Sequence, residues 1–381
     1  MRRISLKNNR AIHLVVIFAL AIGLNADTEA ASRSPVKKKL VKQQTVSYAG
    51  RPEVSAFADE MAGLGLDPAW VVRTLNEARK LESVRQAIKP FPAGQRKNWQ
   101  AYRDRFINAG RTQAGRQFLQ QHADTLTQAS QQYGVPIEVI VGILGVETFY
   151  GLDTGRYRVV DALATLAFDY PAEDGKDRAQ YFRGQLAHFF LWCGKTQCDP
   201  FGVRGSYAGA IGMPQFMPEN ILRYGSDFNG DGRIDLYDPV DAIGSVARFL
   251  ALHGWVRQLV PTVEVDLANA QLEPLLVPDI IPTFTQPQLF YYGARPRLPL
   301  SMLEKYALIE LQNGDAENEY VLGSRNFYVL TRYNRSSYYA MAVLALGQSV
   351  VAADSTAAVP AEPSTKTEVA SGSLPAGCAQ C

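Results

Sequence analysis

The stretch "PIEVIVGILGVETFYG", residues 136–151, decides the fold of this chain. Its apolar side chains recur at spacings of three and four residues, at Ile137, Ile140, Val141 and Leu144. This is the period of an α-helix that buries one face. The stretch therefore predicts a core helix, around which the remaining segments have to pack.

One carboxylate falls on this apolar stripe. Glu147 lies three residues after Leu144 and in the last predicted turn, because Gly151 is a natural helix stop. The negative end of the helix dipole and partial burial both disfavour the ionised form, so both raise the pKa of this carboxyl group. A carboxyl group with a raised pKa can act as a general acid near neutral pH. Helix geometry alone leaves a second interpretation open, a glutamate turned into solvent at a fraying helix end.

The segments on either side also have helical periodicity. Apolar residues recur at helical spacing over residues 51–141, 112–151 and 161–193. The segment "DPVDAIGSVARFLALHGW" predicts a further helix that ends near Gly254, with Asp238 as its N-cap and a proline in the first turn. Residues 199–235 are rich in glycine and proline and predict loops.

A different pattern occupies residues 258–332. The segments "PTVEVDL" and "NFYVLTRY" alternate apolar and polar residues, as strands do. "ENEYVLGSRNFYVL" predicts a hairpin that turns at Gly323–Ser324. "SSYYAMAVLAL" then returns to helix. The predicted fold class is mainly α (α+β), with a small β-containing insert in a helical protein.

The composition excludes several classes of protein. The chain has 39 basic and 37 acidic residues among 381, a net charge of +2. This balance gives no support for nucleic-acid binding, which usually requires a concentrated basic surface. The four histidines do not have the spacing of zinc ligands.

The two ends of the chain do not resemble the middle. Residues 1–30 have the order of a secretory signal, with arginines and a lysine, an apolar run and then small residues. An uncleaved membrane anchor is the alternative. Residues 31–50 predict a basic linker, and residues 349–381 a disordered tail rich in Ala, Ser, Thr and Pro. We therefore expect export to the periplasm, and a catalytic domain over 51–348.

Four cysteines are compatible with an exported protein. Cys193 and Cys198 bracket a four-residue loop and can form a disulfide in an oxidising compartment. Cys378 and Cys381 form a CxxC in the predicted tail, and the sequence indicates no role for them. A zinc site made of all four cysteines is the less favoured reading.

Two glycine-containing segments have the composition of binding loops. "GSYAGAIGMPQFMPEN", residues 205–220, combines small residues, which allow close approach of a ligand, with a glutamine that can donate and accept hydrogen bonds. A tight structural turn explains this composition equally well.

"DFNGDGRIDLYDPVD", residues 227–241, places oxygen ligands at alternating positions before a glycine turn, as a calcium loop of the EF-hand kind does. The glutamate usual at position twelve is replaced by Asp238, and Asp241 is an alternative closing ligand. An Asx-rich turn without metal is the alternative.

These segments together resemble the lytic murein transglycosylase B family, which cleaves bacterial peptidoglycan. The resemblance runs from about Phe57 to Gly347 and also includes "DALATLAFDYP" and "RYNRSSYYAMAV". It implies a lysozyme-like helical core with an N-terminal helical part, a small β subdomain and one calcium ion. It also implies that Glu147 is the single catalytic acid/base.

The resemblance further implies the remaining site residues. Those that would bind substrate are Tyr102, Ser206, Gln215, Phe216, Tyr333 and Asn334, with Tyr102 and Phe216 as faces for sugar rings. Those that would bind calcium are Asp227, Asn229, Asp231, the carbonyl group of Arg233, and Asp241. The chain departs from the family pattern after "DYP", where Arg178 and Tyr181 are the nearest match to a pair of arginines and an aromatic residue, and at Phe249, where a tyrosine is common.

The implied reaction needs one carboxyl group, whereas glycosidases normally use two. Glu147 would protonate the bond between N-acetylmuramic acid and N-acetylglucosamine and then deprotonate the sugar's own 6-hydroxyl, which closes a 1,6-anhydro ring. There are three alternatives to this reaction. They are a hydrolytic muramidase that uses Asp153, Asp161 or Asp169 as a second carboxylate, a catalytically silent peptidoglycan-binding protein, and a calcium-sensing module. We expect a monomer whose partners are glycan strands.

Overall fold

The computed structural model describes residues 46–89, 96–172 and 177–357, with the side chains of 353–357 left out. The predicted signal, the CxxC and most of the predicted linker and tail lie outside these residues. Fifteen helices occur in the described ranges: α1 Pro52–Ala62, α2 Pro68–Glu77, α3 Glu82–Ala87, α4 Trp99–Asp104, α5 Ala109–Gln121, α6 Ala123–Tyr133, α7 Ile137–Thr148, α8 Val159–Phe168, α9 Ala179–Thr196, α10 Pro218–Tyr224, α11 Pro239–Leu252, α12 Leu272–Leu276, α13 Gln286–Tyr291, α14 Arg325–Tyr333 and α15 Ser337–Ala357. Six strands accompany them: β1 Tyr157–Arg158, β2 Arg204–Gly205, β3 Thr262–Asp266, β4 Arg295–Pro296, β5 Ala307–Asn313 and β6 Ala316–Gly323.

Helix α7 is the centre of the molecule, as the opening stretch predicts. Every residue from Val139 to Thr148 is buried, so the helix is enclosed on all sides and not along one stripe only. It packs most extensively against α15, and also against α5, α6 and α11. A helix that is apolar all round belongs in the core of a large domain. The predicted mainly α fold is confirmed.

The strands form two antiparallel sheets. Strands β1 and β2 form a short pair, and the larger sheet has the order β4–β3–β6–β5. Along β5, Ala307, Ile309 and Leu311 join the helical core, whereas Leu308 joins a separate small core between the sheet and the helices that cover it. This alternation is the two-residue period of a strand buried on both faces.

The predicted hairpin at Gly323–Ser324 is wrong. Strand β6 ends at Gly323, and Ser324 then caps helix α14 by accepting a hydrogen bond from the backbone N–H of Asn326. Phe327 and Leu330 are fully buried three residues apart, which is helical and not strand spacing. The true hairpin joins β5 to β6 and turns at Gly314 and Asp315.

Two predicted boundaries also need correction. The end of the predicted linker is structured, because Tyr48 is fully buried against Phe168 and Ser47 donates a hydrogen bond to the carbonyl oxygen of Asn76. Helix α15 continues to Ala357 instead of giving way to a tail at 349, and it still packs on the core just past residue 349. Val350, for example, is fully buried.

Two local predictions agree with the structure. Asp238 caps α11 by accepting a hydrogen bond from the backbone N–H of Val240, and the helix ends just before Gly254. Cys193 and Cys198 form a disulfide at the C-terminal end of α9. Within the ranges given above, no helix is long and apolar enough to span a bilayer.

Candidate active site

The C-terminal end of α7 places Glu147 in the middle of the protein. Its side chain is buried, and its Oε1 accepts a hydrogen bond of 2.6 Å from the hydroxyl of Tyr339 on α15. Burial raises the pKa of Glu147 to about 7, against an ordinary value of 4.5, and the hydrogen bond from Tyr339 acts in the opposite direction. Such a carboxyl group can both donate and accept a proton near neutral pH.

Two side-chain hydrogen bonds hold the turn after Glu147. Phe149 and Tyr150 both have a left-handed backbone, and Gly151 continues it, so the helix stops three residues before the predicted stop. Thr148 donates a hydrogen bond of 2.9 Å to the carbonyl oxygen of Met213. Arg111 donates one of 2.5 Å to the carbonyl oxygen of Gly145 and stacks on the Phe149 ring. A cation at this position offsets the negative end of the helix dipole.

Tyrosine side chains surround the carboxyl group. Burial and the charge of Glu147 raise the pKa of Tyr102 to about 12, and the same two causes hold the pKa values of Tyr333 and Tyr339 well above 10. Tyr339 contacts Glu147 directly through its hydrogen bond, and the charge of Glu147 acts on all three tyrosines. The rings of Tyr333 and Tyr339 stack, with centroids 6.2 Å apart and planes at 16°.

Tyr102 lies on α4 among other aromatic rings. Its ring packs against Trp99 and Tyr338, with centroid distances of 6.4 and 5.8 Å. The side chain is half-buried, so part of its surface remains open. The structure therefore brings the sequence-predicted Tyr102 to the same place as Glu147, although 45 residues separate them.

The predicted loop at residues 205–220 folds back on itself beside α7 and runs into α10, which begins at Pro218. Ser206 and Ala210 bond to each other through their backbones, and Ser206 Oγ also accepts a hydrogen bond from the Ala210 N–H. The amide of Gln215 donates to the carbonyl oxygens of Thr154 and Gly212, at 3.1 and 2.9 Å. These bonds commit the donors of Gln215 to the fold and leave its carbonyl oxygen as the group that can face a ligand.

Phe216 does not have the predicted role. Only 1% of its surface is exposed, because its backbone pairs with Ile211 and turns the ring inward. There it packs against Tyr333 and Phe249, with centroid distances of 5.8 and 5.6 Å. A sugar ring cannot stack on a side chain that it cannot reach. Phe216 supports the site from behind.

The loop between α14 and α15 completes the surroundings of Glu147. The hydroxyl of Tyr333 donates a hydrogen bond of 2.6 Å to the carbonyl oxygen of Pro214, which commits that hydroxyl and leaves the ring. Asn334 Oδ1 is buried and has no hydrogen-bond partner in the part of the chain that the structure describes. A buried amide oxygen without a partner is costly unless a ligand or water satisfies it.

Sequence reasoning missed Tyr339, which makes the one side-chain hydrogen bond found for Glu147 in the described ranges. The residue stands in the quoted motif "RYNRSSYYAMAV". Its period on a helix indicates only that it is buried. Nothing local in the sequence pairs it with a carboxylate 192 residues away.

The predicted calcium loop has the expected turn, but its carboxylates do not converge. Asp227, Asn229 and Asp231 each accept hydrogen bonds from backbone N–H groups of the same loop. Asp241 is fully buried and accepts three such bonds, including one of 2.8 Å from the Phe228 N–H. Among the described residues, no group of three or more His, Cys, Asp or Glu has a metal-binding arrangement.

The chemistry of these donors nevertheless fits calcium. All four side chains offer oxygen atoms, which this ion prefers, and Gly232 has the left-handed backbone (φ 87°) that the sharp turn of such a loop requires. Burial raises the pKa of Asp241, and none of the ion pairs found among the described residues includes it. A buried carboxylate without a cation is the kind of group that a bound metal would stabilise.

Comparison with known proteins adds three findings. Residues 49–348 match the family model of the transglycosylase SLT domain. The chain is 42% identical over 323 residues, 82% of its length and 86% of the relative's, to the membrane-bound lytic murein transglycosylase B of Escherichia coli (strain K12). Among solved structures it is similar to the E. coli lytic transglycosylase SLT35 in complex with calcium, with a TM-score of 0.73, 41% identity and coverage of 84% of this chain and 98% of that one.

A more distant solved structure carries a ligand. SltB3 from Pseudomonas aeruginosa, in complex with NAG-anhNAM-pentapeptide, has a TM-score of 0.68 and is 27% identical, with 78% of each chain covered. Together these similarities confirm the family that the sequence motifs indicate.

Proposed function

Because the chain belongs to the transglycosylase SLT domain family of lytic murein transglycosylases, we propose that it cleaves peptidoglycan glycan strands with Glu147 as the one acid and base. The observation that carries this proposal is the buried carboxyl group with a pKa of about 7, held by a single tyrosine. About half of such groups carry a proton at pH 7, as an acid catalyst must.

In the first step Glu147 donates its proton to the glycosidic oxygen between N-acetylmuramic acid and N-acetylglucosamine. The C–O bond breaks, and the acetamido group of the muramic acid stabilises the positive anomeric carbon. The glutamate is then a carboxylate, which Tyr339 stabilises through its hydrogen bond.

In the second step the carboxylate of Glu147 takes the proton of the same sugar's 6-hydroxyl. The hydroxyl oxygen attacks the anomeric carbon and closes the 1,6-anhydro ring without water. An intramolecular nucleophile has a high effective concentration, so the protein need not bind and orient a water. The relative crystallised with NAG-anhNAM-pentapeptide supports this type of product.

The hydrolytic alternative needs a second carboxylate, and its three candidates are occupied elsewhere. Asp161 forms an ion pair with Arg158 at 2.7 Å, and Asp169 forms ion pairs with Arg51 and Lys80 at 2.7 and 2.8 Å. Asp153 is exposed and accepts a hydrogen bond within its own turn. None of the three contributes to the pKa of Glu147.

The sugar would lie against the half-buried side chains near Glu147. We assign the half-buried ring of Tyr102 as a face for one sugar, and the ring of Tyr333 as a second contact. The hydroxyl of Ser206, the carbonyl oxygen of Gln215 and Oδ1 of Asn334 are the groups left to hydrogen-bond hydroxyl and acetamido groups.

We further propose that the loop at residues 227–241 binds one structural calcium ion. Asp227, Asn229, Asp231, the carbonyl group of Arg233 and Asp241 would hold it, and the calcium complex of the E. coli relative supports this. The ion would tie the loop to the start of α11 at Pro239. It takes no part in the chemical steps.

The place of action follows from the substrate. Peptidoglycan lies outside the cytoplasmic membrane, and the membrane-bound E. coli relative supports action at the wall. We therefore propose a periplasmic protein exported by its N-terminal segment. The expectation of a monomer stays a prediction.

The decisive experiment is mass spectrometry of muropeptides released by the purified protein from peptidoglycan. Products that end in 1,6-anhydromuramic acid, lighter by one water than reducing-end products, are expected. Glu147→Gln should reduce turnover by at least about 100-fold, and Glu138→Gln on the same helix is the matched control. Reducing-end products would identify a hydrolase, and binding without products would identify a peptidoglycan-binding protein.

A further inference from the structure

Helices α7 and α15 meet at two glycines that leave no room for a side chain. A Cβ atom on Gly142 of α7 would lie 2.2 Å from the carbonyl oxygen of Val343. A Cβ atom on Gly347 of α15 would lie 1.9 Å from the carbonyl oxygen of Glu138. Both obstacles are backbone atoms, so a change of rotamer cannot relieve them. The two helices are as close as their backbones allow.

These contacts also fix the antiparallel register of the two helices. Glu138 lies at the glycine of α15, and four residues further along α7 Gly142 lies at Val343. Glu147 lies five residues after Gly142 on α7, and Tyr339 lies four residues before Val343 on α15. The hydrogen bond between Tyr339 and Glu147 forms at this next position along the helix pair. The glycine contacts and the hydrogen bond are thus successive contacts of one helix pair.

From this arrangement we infer that Gly142 and Gly347 are positioning residues for the Tyr339–Glu147 hydrogen bond, an inference that rests on the acid/base role proposed above. Ordinary Cβ contacts begin at 3.4 Å. An alanine at Gly142 therefore requires the helices to separate by about 1 Å, which would lengthen a bond of 2.6 Å beyond hydrogen-bond distance.

The separation has a consequence that a purely structural glycine would lack. The hydrogen bond from Tyr339 lowers the pKa of Glu147 against the effect of burial. Its loss would raise the pKa of Glu147 further and keep the acid protonated to higher pH. The alkaline limb of the pH–kcat profile should therefore move to higher pH, by about one unit for complete loss of a hydrogen bond to a charged group.

The test is kcat on purified glycan strands between pH 5 and pH 9. We compare the natural protein with Gly142→Ala, Tyr339→Phe and the double variant. Each single variant should move the alkaline limb to higher pH, and the double variant should move it no further than Tyr339→Phe does, because both remove the same bond. Gly194→Ala on α9 is the matched control, because its Cβ would meet the Leu66 side chain at 2.7 Å and no atom of α7 or α15.

The control should lose stability without moving the limb. An unmoved limb in Gly142→Ala would overturn the inference, and so would a shift to lower pH, which would mean that water had entered and solvated Glu147. Additive shifts in the double variant would also refute it. If Gly142→Ala does not fold, Val343→Ile adds a methyl group at the same contact and replaces it. Retained turnover in Glu147→Gln would instead overturn the proposed function.

Discussion

Replacing the catalytic acid should make the protein more stable, by an amount that grows as pH rises from 4.5 to about 7. The carboxyl group of Glu147 has a pKa of about 7 in the folded protein and 4.5 ordinarily. Below pH 4.5 it is protonated in both the folded and the unfolded chain. Between the two values the unfolded chain releases the proton first, so stability falls as pH rises. Each pH unit between them corresponds to 1.36 kcal/mol, so the destabilisation reaches about 3 kcal/mol above pH 7.

Glu147→Gln removes this destabilisation and keeps an oxygen that can accept the Tyr339 hydrogen bond. For a domain of about 300 residues, a gain of about 3 kcal/mol raises Tm by roughly 5 °C. At pH 5 the gain should be under about 1 kcal/mol, or about 1 °C. Differential scanning calorimetry at both pH values measures the difference directly. Glu138→Gln makes the same chemical change at a half-buried position of α7 and is the comparison.

The reasoning fails if the Tm gain of Glu147→Gln is the same at pH 5 and pH 8. It also fails if the variant is less stable than the natural protein at pH 8. Either result would mean that burial does not hold the proton on this carboxyl group in the folded state, and the general-acid step would lose its physical basis.

Three further changes separate support of the fold from contact with substrate. Phe216→Ala should destabilise the protein by about 3–5 kcal/mol, as for other buried phenylalanines, in urea unfolding, and a lower affinity for glycan with unchanged stability would contradict its buried position. Addition of a chelator should lower Tm, and Asp227→Asn should abolish the difference between calcium and chelator, whereas equal Tm values in the natural protein would remove the calcium proposal. Asp161→Asn should cost about 3 kcal/mol because it leaves Arg158 without its partner, but kcat below the melting range should stay unchanged, and a 100-fold loss would restore the hydrolytic alternative.

The sequence predicts those helices whose formation depends on residues close together in the chain. Helix α7 follows from a run of apolar residues at helical spacing, and the start of α11 follows from Asp238 and the proline after it, so the structure agrees at both places. The segment "NFYVLTRY" fits a strand and a helix equally well when only its apolar pattern is read. Two features stabilise the helix at this place. The side chain of Ser324 caps its N-terminus, and the ring of Phe327 is buried in the core.

The site is less accessible to sequence reasoning because its contacts are not local. The position of Glu147 on an apolar stripe predicts a raised pKa, and the structure gives the same direction. Whether Phe216 faces substrate or core depends on one turn of the loop before it, and an aromatic residue suits either place. Tyr339 reaches the carboxyl group only because α15 returns to α7 after the whole β subdomain.

The reaction that this site can perform depends on how many protons its side chains can exchange. Burial and Tyr339 set the pKa of Glu147, and no acidic side chain in the described ranges contributes to it. The site therefore exchanges one proton, and the group that donates it must take one back before the next turnover. A substrate that carries its own nucleophile meets this condition, because its 6-hydroxyl returns the proton as the ring closes. The same burial that keeps the proton on Glu147 makes the folded protein less stable as pH rises. A substitution that lets water reach Glu147 should therefore remove part of this loss of stability at pH 8 and move the alkaline limb of activity to lower pH, so the contribution of Glu147 to stability and its acid catalysis change in opposite directions.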